Sequence, residues 1–129
     1  MKILFVLAGG GLGAVSRYGV SWFAARWWGT SFPWGTLIVN LAGCFLIGLS
    51  FGLGDRLSWY RPSGRLFFTT GFLGGLTTFS TLSLETINAA NGTAPLVAPI
   101  NFLANSIVGL ALVAAGMWVG AGCRKAAHP

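Results

Sequence analysis

The sequence predicts an all-α membrane protein with four transmembrane helices, the third of which is broken. Of its 129 residues, 54% are hydrophobic and only 8% are charged, whereas soluble domains carry roughly 25% charged residues. The few charged residues lie far apart, and uncharged runs near the length of a membrane span, about 20 residues, lie between them. We therefore expect one membrane domain covering residues 1–129.

The four spans are predicted near residues 3–25, 34–54, 65–88 and 97–121. The first reaches the length of a membrane helix only if it includes Arg17. The fourth follows a loop that Asn91-Gly92 and two prolines indicate.

The third span contains the most informative segment of the chain, Gly71-Phe-Leu-Gly-Gly-Leu-Thr-Thr-Phe-Ser-Thr-Leu-Ser-Leu-Glu85. Glycine in a helix interior costs about 1 kcal/mol relative to alanine, and threonine loses rotamer freedom there. A broken helix within a membrane needs protein or a water-filled cavity to satisfy its backbone. Such a break indicates a place where backbone groups and hydroxyls meet an ion or polar solute.

Small residues one helical turn apart predict close helix packing. They form the pairs Gly9 and Gly13, Gly48 and Gly52, Gly71 and Gly75, and Gly116 and Gly120. Because four helices of this length enclose little volume, a pore or carrier would need a second copy of the chain.

The polar residues within the spans favour a small anion as the transported species. Asn40 offers amide hydrogens, Ser80 and Thr81 offer hydroxyls, and Phe79 offers a ring edge of partial positive charge. An equally available interpretation of Asn40 is a helix–helix hydrogen bond. In the fourth span, Asn101 and Asn105 share a helix face, and Ser106 follows them.

Two charged residues lie in the spans and keep more than one interpretation. Arg17 either extends its charge to the interface beside Tyr18 or attracts anions in a vestibule. Glu85 either caps a helix, accepts hydrogen bonds from a neighbouring polar face, or carries a proton.

Three motifs resemble the Fluc (CrcB) fluoride channels across nearly the whole chain. They are Gly9-Gly-Gly-Leu-Gly-Ala-Val-Ser-Arg-Tyr18, Pro33-Trp-Gly-Thr-Leu-Ile-Val-Asn40 and Gly71-Phe-Leu-Gly-Gly-Leu-Thr-Thr-Phe-Ser-Thr81. The resemblance implies a dimer of antiparallel subunits with two fluoride pathways. It also implies one structural sodium ion at the dimer centre, held by the backbone carbonyls of Gly74 and Thr77.

On this resemblance, the ion pathway comprises Asn40 and Phe79 together with Ser80, Thr81, Leu82 and Ser106. Leu82 is a departure, because the family usually has a second phenylalanine at that position. Leucine keeps the apolar bulk but lacks a ring edge that contacts an anion.

The function implied is passive export of cytoplasmic fluoride by a multi-pass protein of the inner (plasma) membrane. No nucleotide motif or catalytic metal cluster in the sequence indicates pumping or an enzyme, and its scattered basic residues indicate no nucleic-acid partner. One alternative is a proton-coupled exporter of small cations, which would require an acidic residue in the first span. The other is a non-transporting membrane packing subunit.

Overall fold

The computed structural model describes residues 2–54 and 62–126, and all regular structure in these two ranges is helical. The first helix, α1, is Lys2–Trp28, and the second, α2, is Trp34–Leu53. Gly29 ends α1 with a φ of 76°, a left-handed conformation that glycine adopts without strain. The first two predicted spans therefore correspond to two uninterrupted helices.

The first half of the third span, which we call α3, covers residues 62–76 and changes its helical winding twice. It consists of an α-helical turn at Pro62–Arg65, a π-helix at Leu66–Leu73, and a second α-helical turn at Gly74–Leu76. Segments of π-helix are rare and occur frequently at functional sites.

A break separates α3 from α4, which is Phe79–Asn91. Thr77 and Thr78 both have extended backbone, with ψ angles of 156° and 122°. The Thr78 side chain then caps α4, because its Oγ1 accepts a hydrogen bond from the Thr81 N–H at 3.2 Å. The predicted break in the third helix is confirmed.

The last helical unit, α5, covers residues 97–126 and also contains a π-helix. Val97–Leu103 is α-helical, Ala104–Val108 is π-helical, and Gly109–Ala126 is α-helical again. Three helices are long and apolar enough to cross a membrane, namely Lys2–Trp28, Trp34–Leu53 and Val97–Cys123. The predicted third span corresponds to the interrupted pair α3 and α4.

The four glycine pairs lie where helices approach most closely, as predicted. A Cβ added at Gly13 would meet the backbone of Phe72, so α1 packs directly on α3. A Cβ at Gly116 would meet the backbone of Phe45, so α5 packs directly on α2. The other members of the pairs have backbone neighbours within the same short range.

The interior is small, and most large apolar side chains face outward. The core cluster comprises Val39, Leu73 and Leu76. Large exposed apolar side chains occur on α1, α2, α4 and α5, as expected for surfaces that contact lipid. Arg56 and Arg61, which contribute to the charge distribution of the sequence, lie outside the described residues.

Candidate functional site

The break between α3 and α4 removes the normal partners of two backbone carbonyls. The Thr78 N–H would bond the Gly74 carbonyl in a continuous helix, but it donates instead to Asn40 Oδ1 at 2.8 Å. The Thr77 N–H makes the last helical bond, to the Leu73 carbonyl at 3.0 Å. Within residues 2–54 and 62–126, no donor reaches the Thr77 carbonyl.

Asn40 on α2 makes three hydrogen bonds, two of which hold this break. Besides accepting from Thr78, it donates through Nδ2 to the Thr78 carbonyl at 3.1 Å and to Asn105 Oδ1 at 2.9 Å. Both amide hydrogens are therefore engaged with protein acceptors. The helix–helix interpretation of Asn40 is confirmed, and its contact with an anion stays a prediction.

A cavity of about 510 Å³ lies beside the break, between α2, α3, α4 and α5. Phe79 and Leu82 from α4 line it, and so does Ser106 from the π-helical part of α5. Phe79 is 72% exposed, whereas Leu82 is only 4% exposed. Among the described residues, the Ser106 hydroxyl has no hydrogen-bond partner, so it is available as a donor in this cavity.

Ser80 and Thr81 directly follow Phe79 in the sequence, but they do not line this cavity. Their hydroxyls cluster around Thr78 Oγ1, which lies 3.2 Å from Ser80 Oγ and donates to Thr81 Oγ1 at 3.1 Å. These hydroxyls therefore contribute to the cap of α4 in the subunit.

Arg17 places a positive charge next to the break. Its Nε donates to the Gly75 carbonyl at 3.2 Å, a group that also loses its helical continuation where α3 ends. The guanidinium is therefore turned toward the protein and not only toward the interface.

Glu85 lines a second cavity, also of about 510 Å³, near the α1–α2 and α4–α5 connections. Its Oε1 accepts a hydrogen bond from Thr36 Oγ1 on α2 at 2.8 Å. Its Oε2 is buried and has no partner among the described residues. Of the three interpretations of Glu85, the structure shows the hydrogen bond from a neighbouring helix, and the helix cap and the proton-carrying role stay predictions.

Sequence reasoning did not place Asn101 and Asn105 at the site, although it noticed that they share a helix face. Asn105 lines the first cavity and bonds Asn40. Asn101 is fully buried behind it, at 0% exposure. The signal available in the sequence was the spacing of two amides four residues apart in an apolar span.

Comparisons with known proteins agree on one family. Residues 4–117 match the family model described as CrcB-like protein, camphor resistance (CrcB). A fluoride-specific ion channel FluC of Dehalococcoides mccartyi is 43% identical over 119 residues, covering 92% of each chain. Proteins of the same name are similar to the chain in Shewanella amazonensis, at 44% identity over 89% of this chain and 92% of the relative, and in Salinibacter ruber, at 43% identity over 95% and 89%.

Proposed function

The chain belongs to the CrcB family, and on that basis we propose that it is a fluoride channel of the plasma membrane. The proposal rests on the similarity to fluoride-specific channels over most of the chain. Hydrogen fluoride enters cells as a neutral acid and dissociates in the less acidic cytoplasm. An inside-negative potential then drives the anion out, by about 2.3 kcal/mol per charge per 100 mV.

The cavity beside the break is the proposed ion pathway within each subunit. Phe79 offers the positive edge of its ring there, and Ser106 offers a hydroxyl that has no partner in residues 2–54 and 62–126. Leu82 forms an apolar part of the wall. Asn40, Ser80 and Thr81 support this wall and contact the ion only if their present hydrogen bonds rearrange.

A second, antiparallel copy of the chain would complete the pathway. Phe79 is 72% exposed in the single subunit, and a ring that serves an ion needs protein around it to keep lipid away. In an antiparallel homodimer, each subunit would cover this opening in the other subunit. The dimer would therefore have two pathways.

The freed carbonyls at the break fit a structural sodium ion. Gly74 has lost its normal partner and is exposed, and Thr77 has no donor within the described residues. Carbonyl oxygens are ligands that hard cations accept, and two copies of the break would supply four of them. The bound ion would satisfy these groups in a membrane interior.

Purified protein in liposomes tests the function directly. Fluoride efflux is measured with a fluoride electrode under a potassium gradient and valinomycin, with chloride efflux in parallel. We expect fluoride to leave and chloride to stay. Proton-coupled cation exchange, or no flux of either ion from correctly assembled protein, would contradict the proposal.

Phe79→Ile tests the pathway in the same assay. If the ring edge contributes about the 0.5–1.5 kcal/mol of an aromatic pair, its loss should lower fluoride efflux about two- to twelvefold. Phe102→Ile is the matched control, because Phe102 is partly exposed on α5 and lines neither cavity. Equal fluxes in the two variants would contradict the assignment of Phe79.

A further inference from the structure

Three asparagine side chains form a hydrogen-bonded chain that runs in one direction through the protein. Asn40 Nδ2 donates to Asn105 Oδ1 at 2.9 Å, and Asn105 Nδ2 donates to Asn101 Oδ1 at 3.1 Å. Asn101 Nδ2 then donates to Thr86 Oγ1 at 3.2 Å. The chain of bonds begins at the break, crosses α5, and ends on α4.

Burial makes the direction of each amide important. Asn101 is 0% exposed and Asn105 is 8% exposed. A buried amide without partners is costly. Turning any one amide over would set oxygen against oxygen or N–H against N–H at its neighbour. The orientation of one amide therefore constrains the next.

The chain also holds the π-helix of α5. Asn105 Nδ2 makes a second hydrogen bond, to the backbone carbonyl of Asn101 at 2.9 Å. A π-helical segment shifts backbone bonding by one residue, and this side-chain donor adds a second bond to the Asn101 carbonyl, which also accepts from the Ala104 N–H where the segment begins. The same segment, Ala104–Val108, carries Ser106 into the cavity.

The two ends of the chain of bonds fix α4 at two positions. Asn40 bonds both the N–H and the carbonyl of Thr78, at the start of α4. Asn101 bonds Thr86, eight residues later and about 12 Å farther along the helix. Neither Thr86 nor Asn101 lines either cavity.

We propose that Asn101 and Thr86 are positioning residues for the helix break, which they reach through Asn105 and Asn40. They set the direction of the Asn40 amide and thereby the backbone of Thr78, without contact with the ion. The effect on fluoride transport rests on the proposed function, whereas the effect on the break does not.

Thr86→Val is the decisive variant, because valine keeps the shape of threonine and removes the acceptor for Asn101. Thr86→Ser is the matched control, because it keeps the hydroxyl and removes only the methyl group. The first measurement is the backbone amide resonance of Thr78 in protein labelled with ¹⁵N-threonine. We expect it to move in Thr86→Val and to stay close to its original position in Thr86→Ser.

The second measurement is fluoride efflux from liposomes. Loss of one buried hydrogen bond in a membrane protein should lower the flux of Thr86→Val about three- to fivefold. Thr86→Ser should restore it to within about twofold of the original rate. Because both residues act through one chain of bonds, adding Thr86→Val to Asn101→Leu should lower the flux little further.

An unmoved Thr78 resonance with normal flux in Thr86→Val would overturn the proposal. Equal impairment by valine and serine would also overturn it, since the methyl group and not the hydroxyl would then matter. If Thr86→Val does not assemble, Thr86→Ala compared with Thr86→Ser decides on the same resonance. Wild-type protein that passes no fluoride would contradict the proposed function, while the test on Thr78 would remain valid.

Discussion

At the scale of single residues, the hydrogen bonds of Asn40 show that its amide supports the wall of the cavity in the subunit. From the sequence, its amide was available either to an anion or to a neighbouring helix. In the subunit, both amide hydrogens and the oxygen bond Thr78 and Asn105. A hydroxyl that lines the cavity and has no partner among the described residues is that of Ser106. Asn40 thus shapes the wall that presents Phe79.

Leu82 provides a test of the one departure from the family pattern. It is 4% exposed and lines the cavity together with Phe79. The cavity offers space for a larger side chain, so Leu82→Phe should add a ring edge to the proposed pathway at a cost of less than about 3 kcal/mol from overpacking. We expect fluoride efflux at or above the wild-type rate in the liposome assay.

Leu84→Phe is the control for this change, since Leu84 is exposed on the same helix and does not line the cavity. It should leave the flux unchanged. An assembled Leu82→Phe protein that passes no fluoride would show that position 82 does not accept a ring in this pathway.

At the scale of helices, the sequence predicted the spans and the break but not the windings beside the break. Hydropathy and the glycine and threonine content are local properties, so they are readable without a structure. The π-helix at Leu66–Leu73 and the one at Ala104–Val108 depend on contacts with other helices. The hydrogen bond from Asn40 on α2 to Asn105 on α5 is such a contact, and its partners lie 65 residues apart.

Removal of sodium tests the proposed role of the carbonyls at the break. Protein purified and reconstituted in sodium should unfold at a higher temperature than protein kept throughout in potassium. Ligand in hundredfold excess over its Kd adds about 2.7 kcal/mol of stability. Fluoride efflux should likewise depend on sodium having been present during assembly. Identical melting temperatures and fluxes in the two salts would contradict a sodium site at Gly74 and Thr77.

Glycine packing between α2 and α5 gives a prediction about stability. A Cβ at Gly116 would overlap the backbone of Phe45, which cannot move as a flexible side chain can. Gly116→Ala should therefore destabilise the protein by about 1–3 kcal/mol, as overpacking does. Gly122→Ala, on the same helix with open space around it, should melt at or slightly above the wild-type temperature. If the two variants melted at the same temperature, the contact between Gly116 and the Phe45 backbone would be looser than in the structure.

At the scale of the whole molecule, the four glycine pairs join the helices two by two. Gly9 and Gly13 fit against α3, where Gly71 and Gly75 fit in return, and Gly48 and Gly52 pair similarly with Gly116 and Gly120. The break lies between these two units, and the hydrogen bonds between Asn40 on α2 and the backbone of Thr78 connect them there. The subunit is therefore held together by backbone contact outside the site and by amides within it.

The charge distribution opposes a homodimer with two orientations. With four crossings, both termini and the α2–α3 connection share one side of the membrane. Six basic residues lie in the segments assigned to that side of the membrane, and Arg26 lies in a segment assigned to the other side. The positive-inside rule would place the termini of every copy in the cytoplasm. An antiparallel homodimer needs both orientations, and the other possibility is a separate partner chain of opposite orientation.

Cysteine labelling in intact cells decides between these assemblies. Thr93 is exposed in the connection between α4 and α5, on the side opposite to the termini. Thr93→Cys is introduced in a background in which Cys44 and Cys123 are replaced, and a membrane-impermeant thiol reagent is added before and after permeabilisation. Because loops of one sequence face both sides in an antiparallel homodimer, about half the copies should react before permeabilisation. Reaction of nearly all copies, or of none, would show a single orientation, and each subunit would then need an oppositely oriented partner of different sequence to complete the pathway beside Phe79.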